Sequence, residues 1–171
     1  MKFIIQQEGL PDQSSVYEVI ARAFEREDES RLVNRMRQSN AFVPELSLVA
    51  MYEQKIVGHI LFSKIIIHNQ LRITPSLALA PLAVEPDFQR QGVGSLLVRE
   101  GLKRSRELGF TSVVVLGHEH YYPRFEFIPT TKWGIRPPFQ VPAEVFMAVE
   151  LVKDSLSGIQ GTVRYPDDFF E

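Results

Sequence analysis

The chain has no cysteine among its 171 residues, which removes three chemistries at once: a disulfide framework, a thiolate-ligated zinc or cluster, and a thiol nucleophile. Charge of one dominant sign is also missing. Nineteen lysines and arginines against twenty-one aspartates and glutamates leave a formal charge of −2, so no overall basic field advertises nucleic acid or an anionic membrane. Long hydrophobic runs are absent too. The opening MKFIIQQEGL has only the apolar centre Phe3-Ile4-Ile5, far short of a secretory leader, and no stretch approaches the roughly 20 apolar residues of a membrane span. These absences predict a soluble, cytoplasmic protein without nucleic-acid or membrane partners.

What is present fits one globular domain over residues 1–171. At 44% hydrophobic and 23% charged, the chain buries a core without staples. KFIIQQE reads as a first strand, buried at Phe3, Ile4 and Ile5. Asp12, Ser14 or Ser15 then caps a helix whose apolar face is Val16, Val19, Ile20, Ala23 and Phe24. A second helix, EDESRLVNRMRQS, presents Leu32, Val33 and Met36, and Pro44 closes the region. LSLVAMY and KIVGHILFSKIIIH flank Glu53-Gln54 and predict a hairpin. QLRITPSLALAPLAV returns antiparallel, with Pro75 and Pro81 marking an edge, a bulge or a break in pairing.

Gly92 to Leu108 has helical period, with Val93, Leu97, Gly101 and Leu108 on one side. Gly109 stops that helix, and TSVVVL follows as a buried strand. Leu77 to Leu116 is therefore a strand-helix-strand crossover with parallel strands. Beyond it come GHEHYYPRFEF, the loop TTKWGIRPPFQVP, a last clear strand EVFMAVELV, and a tail, GTVRYPDDFFE, aromatic enough to dock.

Two glycines, Gly92 and Gly94, sit where the crossover strand turns into its helix. A dinucleotide fingerprint needs a third glycine where Leu97 stands, and a nucleoside-triphosphate loop needs Gly-Lys-Ser/Thr where the chain has Gly94-Ser95-Leu96. Both readings fail. The amides at this helix mouth still converge on an anion, and glycine lets backbone approach it closely.

QRQGVG, Gln89 to Gly94, resembles the Gln/Arg-x-x-Gly-x-Gly/Ala signature of the GNAT superfamily of N-acetyltransferases. ALAPLAVEP before it resembles that family's fourth strand, and YYPRFEF, Tyr121 to Phe127, resembles its Tyr-x-x-x-Gly-Phe segment with Glu126 in place of glycine. The resemblance implies an α/β fold: a central twisted, mostly antiparallel sheet with one parallel, splayed strand pair and flanking helices. It implies acetyl-coenzyme A (acetyl-CoA) as cofactor, without metal. Leu82, Ala83, Val84, Gln89, Arg90, Gln91, Gly92, Val93, Gly94 and Ser95 become its binding residues, with Leu82 and Val84 acting through their backbones. Tyr122 takes the place of the family's general acid, and Glu119 and Glu126 predict a distorted helix after the fifth strand.

The general base has two readings. Leu71 to Val84 contains no carboxylate, although many family members carry a glutamate there. Histidine as a residue type titrates in the useful range, which makes His118 the candidate base or water relay; Glu85 reads better as the strand end. His118 and His120 lack a third ligand, so the metal reading is weak. Trp133, Phe139 and Phe146 line an acceptor site or simply pack. The expected activity is transfer of acetyl to a primary amine by direct attack in a ternary complex. Two alternatives are a non-catalytic acyl-CoA-binding or sensor domain and a purely structural domain. Small-molecule and protein acceptors, and monomer and homodimer, remain open.

Overall fold

The protein is described by a computed structural model over residues 2–170. Strand β1 (Phe3–Gln7) leads to helices α1 (Gln13–Phe24) and α2 (Asp28–Arg37), and then to three long strands, β2 (Phe42–Tyr52), β3 (Lys55–His68) and β4 (Ile73–Val84). Helix α3 (Val93–Glu107) connects β4 to β5 (Ser112–Leu116). The chain finishes with β6 (Ile128–Pro129), β7 (Ile135–Arg136), β8 (Phe146–Glu150) and β9 (Gly161–Arg164). The sheet runs β1-β2-β3-β4-β5-β8-β6, while β9 pairs with β3 and β7. Neighbours are antiparallel except β4 with β5, the expected crossover pair, and the short pair β7 with β9.

The two faces of the sheet bury different stripes. Val93, Leu97 and Val98 of α3 pack on Leu48, Ile60, Phe62 and Leu77. Gly101 lets α3 come close, since a Cβ there would lie 2.1 Å from the Phe62 ring. On the opposite face, Val16, Val19 and Ile20 of α1 and Val33 and Met36 of α2 meet Val49, Leu61 and Ala83. Burying each such aliphatic side chain stabilises the fold by roughly 1.5–3 kcal/mol before entropy is counted.

A polar cluster is buried on the α2 side. Arg37 donates two bonds to Glu8, at 3.0 and 2.7 Å, and His59 Nε2 lies 2.9 Å from Ser47 Oγ. Burial, reinforced by the Arg37 charge, pushes the His59 pKa down to about 3, so the imidazole is neutral in the fold.

Several local expectations are corrected. Ile4 is exposed, because β1 is an edge strand with one open face. Asp12 does not cap α1, and neither serine does; its carboxylate instead accepts from the Gly9 amide at 2.7 Å, closing the turn before the helix. Pro44 lies inside β2, in an irregular stretch where the register shifts between Phe42 and Ser47, so its missing N–H interrupts no regular ladder. Leu108 ends up exposed just beyond α3. The last clear strand is shorter than EVFMAVELV, and the tail does more than dock, since it supplies β9. The hairpin at Glu53-Gln54 forms with Tyr52 opposite Lys55. Among the described residues no helix is long and apolar enough to cross a membrane.

Candidate active site

Strands β4 and β5 pair from Leu77 opposite Val113 to Leu79 opposite Val115 and then part. The cause lies on the other edge of β4. Between Phe62 opposite Leu79 and Ile60 opposite Leu82, Leu61 faces both Ala80 and Pro81. This bulge is the irregularity that Pro81 foretold, and it bends β4 while Leu82 and Val84 stay registered with β3. The opening between the strand ends is a cleft of about 960 Å³.

One wall is built from backbone. Gly92, at φ +87°, is left-handed, and nothing lies within 4 Å of where its Cβ would be. The first bond of α3 runs from Leu96 N–H to Gly92 O, so the amides of Val93, Gly94 and Ser95 precede the helical ladder at the positive end of its dipole. Gln89 fastens this loop by donating its side-chain amide to Val84 O at 3.1 Å, and Gln91 donates to Asp87 O at 3.2 Å. Arg90 holds a left-handed φ of +63°, a conformation that costs a non-glycine residue roughly 1–2 kcal/mol.

Of the expected binding residues, Leu82, Val84, Gln89, Arg90, Gly92, Val93, Gly94 and Ser95 line the cleft. Ala83 and Gln91 do not. Period-two alternation turns the Ala83 side chain into the core against α1 and α2, and Gln91 is occupied with Asp87.

The facing wall is built from side chains. Tyr122 begins a short 3-10 turn, Tyr122–Phe125, where a distorted helix was expected. Glu126 closes that turn with φ +71°, occupying a left-handed position where the resemblance has glycine. The Tyr122 ring lies flush on Gly117, where a Cβ would come within 2.3 Å of it. The ring is 7% exposed, and its hydroxyl has no hydrogen-bond partner among the described residues. Burial, and then neighbouring Tyr121, push its pKa well above the ordinary phenol value, so the hydroxyl keeps its proton at neutral pH.

Tyr121, which the motif did not single out, crosses between the walls. Its hydroxyl stands 2.8 Å from the Cβ position of Gly94, and the Arg124 guanidinium sits 4.6 Å from its ring centroid. The doubled tyrosine in YYPRF was the available signal. His118 is exposed at the cleft, and its carbonyl accepts from Tyr121 and Tyr122 N–H at 3.1 and 3.3 Å. Its backbone caps the turn while its imidazole is free to meet solvent. His120 and Glu119 pair at 3.5 Å on the surface.

Glu85 is buried at the strand end and accepts two bonds from Arg22, at 2.7 and 2.9 Å. A carboxylate held this way is an anchor between β4 and α1 rather than a base. Trp133, Phe139 and Phe146 pack with Ile65, Val114 and Tyr165 in a separate core cluster and do not line the cleft. Phe24, Glu29 and Leu32 do line it, from α1 and α2.

The profile of the acetyltransferase (GNAT) family matches residues 14–127. An uncharacterized N-acetyltransferase of Escherichia coli strain K12, YjhQ, is 41% identical over 134 residues, covering 78% of this chain and 74% of its own. YhbS, an uncharacterized N-acetyltransferase from the same strain, is 30% identical over 159 residues, covering 92% and 93%. A crystal structure of E. coli YhbS in complex with CoA superposes with a TM-score of 0.91 at 29% identity, over 99% of this chain and 92% of that one. A GNAT family acetyltransferase from Brucella melitensis, in complex with acetyl-CoA, gives 0.78 at 28% identity over 99% of each chain. With a splayed strand pair, an amide-lined helix mouth and a profile match over most of its length, the chain belongs to the GNAT acetyltransferase family.

Proposed function

We propose that the protein is an N-acetyltransferase that moves acetyl from acetyl-CoA to a primary amine by direct attack in a ternary complex. The observation that carries this reading is the cleft itself: one wall offers unpaired helix-mouth amides, and the other offers a protonated, unpartnered phenol. The residues fit the donor. The α3 amides and Arg90 suit its phosphates, and the open edge of β4 at Leu82 and Val84 suits its amide-bearing arm. Two structures of relatives, complexed with CoA and with acetyl-CoA, support an acyl-CoA donor.

The chemistry then follows from the chain's own groups. The amine nitrogen attacks the thioester carbonyl carbon, the C–S bond breaks, and Tyr122 donates its proton to the departing sulfur. Backbone N–H near Val84 polarises the carbonyl. His118, directly or through water, takes the proton lost by the amine. The test is thiol release with acetyl-CoA and a panel of amines, followed by mass measurement of the product. An amine-dependent thiol signal and a product heavier by one acetyl group are expected. Donor binding without either signal would favour the non-catalytic acyl-CoA sensor.

A further inference from the structure

Resting on the acetyltransferase reading, we propose that the acceptor is a small amine with a ring-sized apolar body, seated against the C-terminal aromatic pair Phe169 and Phe170. A second hollow, of about 290 Å³, adjoins the main cleft, and Glu29 and Leu32 line both. Asp28, Arg35, Phe169 and Phe170 complete the smaller lobe. Glu29 and Leu32 therefore stand between the main cleft and a wall of phenyl rings.

The walls say what fits. Tyr165 stacks on Phe169 at 4.5 Å, and Phe170 meets Phe169 edge-on at 5.4 Å, so Phe169 is held rigidly while Phe170, 52% exposed, presents its ring to the opening. Arg35 donates to the carbonyls of Asp168 and Phe169 at 2.9 and 3.4 Å, which fastens the tail to α2. Asp28, which also lines the lobe, is paired with Arg31 at 2.8 Å, so the carboxylates here already carry arginine partners. Glu29, with its side chain 17% exposed, stands at the junction and is oriented by two bonds from Arg26. An amine with an apolar body is therefore favoured by the rings rather than by charge. The smaller lobe has about ten times one water's share of liquid volume, roughly 30 Å³, which suits a ring and not a folded peptide.

The experiment compares 2-phenylethylamine, spermidine and a short peptide with a free α-amine as acceptors, using the whole chain and acetyl-CoA. The expected result is highest kcat/KM on 2-phenylethylamine. Phe170→Ala should raise its KM by roughly tenfold or more, in line with the discrimination a hydrophobic pocket provides. Acetyl-CoA affinity, read by calorimetry, should stay unchanged in that variant. Preference for spermidine or the peptide, or a variant that leaves KM unmoved, would overturn this inference and leave the acetyltransferase reading standing. Failure to bind acetyl-CoA would overturn both.

Discussion

The two walls of the cleft are built by opposite means. The wall at α3 presents main chain: left-handed Gly92, the amides of the first helical turn, and side-chain amides of Gln89 and Gln91 that merely tie the loop. The wall at Tyr121–Phe125 presents side chains stacked on one another, with ring centroids 5.1 Å apart for the two tyrosines. Backbone recognition tolerates many sequences as long as the glycines stay. Side-chain recognition depends on how Gly117, Tyr121 and Tyr122 pack together, and so it fails at a single atom.

The sharpest way to break the comparison is Tyr122→Phe. It keeps the ring on Gly117 and removes the proton, so turnover should fall about 10²–10⁴-fold while acetyl-CoA affinity holds. Because burial raises the Tyr122 pKa, the hydroxyl stays protonated between about pH 7 and 10. Any limb of the pH-rate profile in that window therefore belongs to a group other than Tyr122 and should survive in the variant.

Gly94→Val attacks the other wall. Its side chain enters the space that the Tyr121 hydroxyl approaches to 2.8 Å and crowds the helix mouth. Calorimetry should show acetyl-CoA affinity weakened roughly 10- to 100-fold, the equivalent of about 1–3 kcal/mol of overpacking. Unchanged affinity in a folded variant would remove the anion-cradle reading.

A third test separates both walls from the fold that carries them. His59 is neutral in the native state down to about pH 3, whereas the unfolded imidazole protonates near pH 6.5. Between those values the unfolded chain binds the extra proton. Stability from this site is therefore intact above about pH 6.5 and declines as pH falls toward 3, by at most about 1.4 kcal/mol per pH unit. Urea titrations from pH 7.5 to 4.5 should show that decline in the wild type and a shallower one in His59→Gln.

The smallest effect is expected at Glu126, whose φ of +71° suits glycine. Glu126→Gly should raise stability by roughly 1 kcal/mol, the relief of left-handed strain less the added freedom of the unfolded chain. Thermal unfolding measures it, and turnover should not change.

How much was legible follows the same division. The crossover, the glycine turn and the bulge at Pro81 could be read because backbone requirements leave residue types behind: glycine at positive φ, proline where pairing lapses. Tyr122 stands out in the sequence through its motif and lines the cleft; Tyr121 does not stand out, since its hydroxyl reaches Gly94 only after α3 and the 3-10 turn are packed. The Arg22 bond to Glu85 joins residues 63 apart in sequence, and no local pattern announces it. Strand β9 escaped notice as a strand of its own because it is four residues long and borrows its pairing from β3 and β7. Pro44 misled for a related reason: an irregular strand start accepts a proline that a regular ladder rejects.

The parting of β4 from β5 after Leu79 has a dynamic consequence. The segment from Ala80 to Val84 is secured by β3 on one edge and, among the described residues, lacks a strand neighbour on the other, so its cleft-side amides should exchange with deuterium faster than those of Ser76 to Leu79. A donor whose own amides dock there acts as a temporary extra strand. Exchange should then slow along Ala80 to Val84 when acetyl-CoA is added.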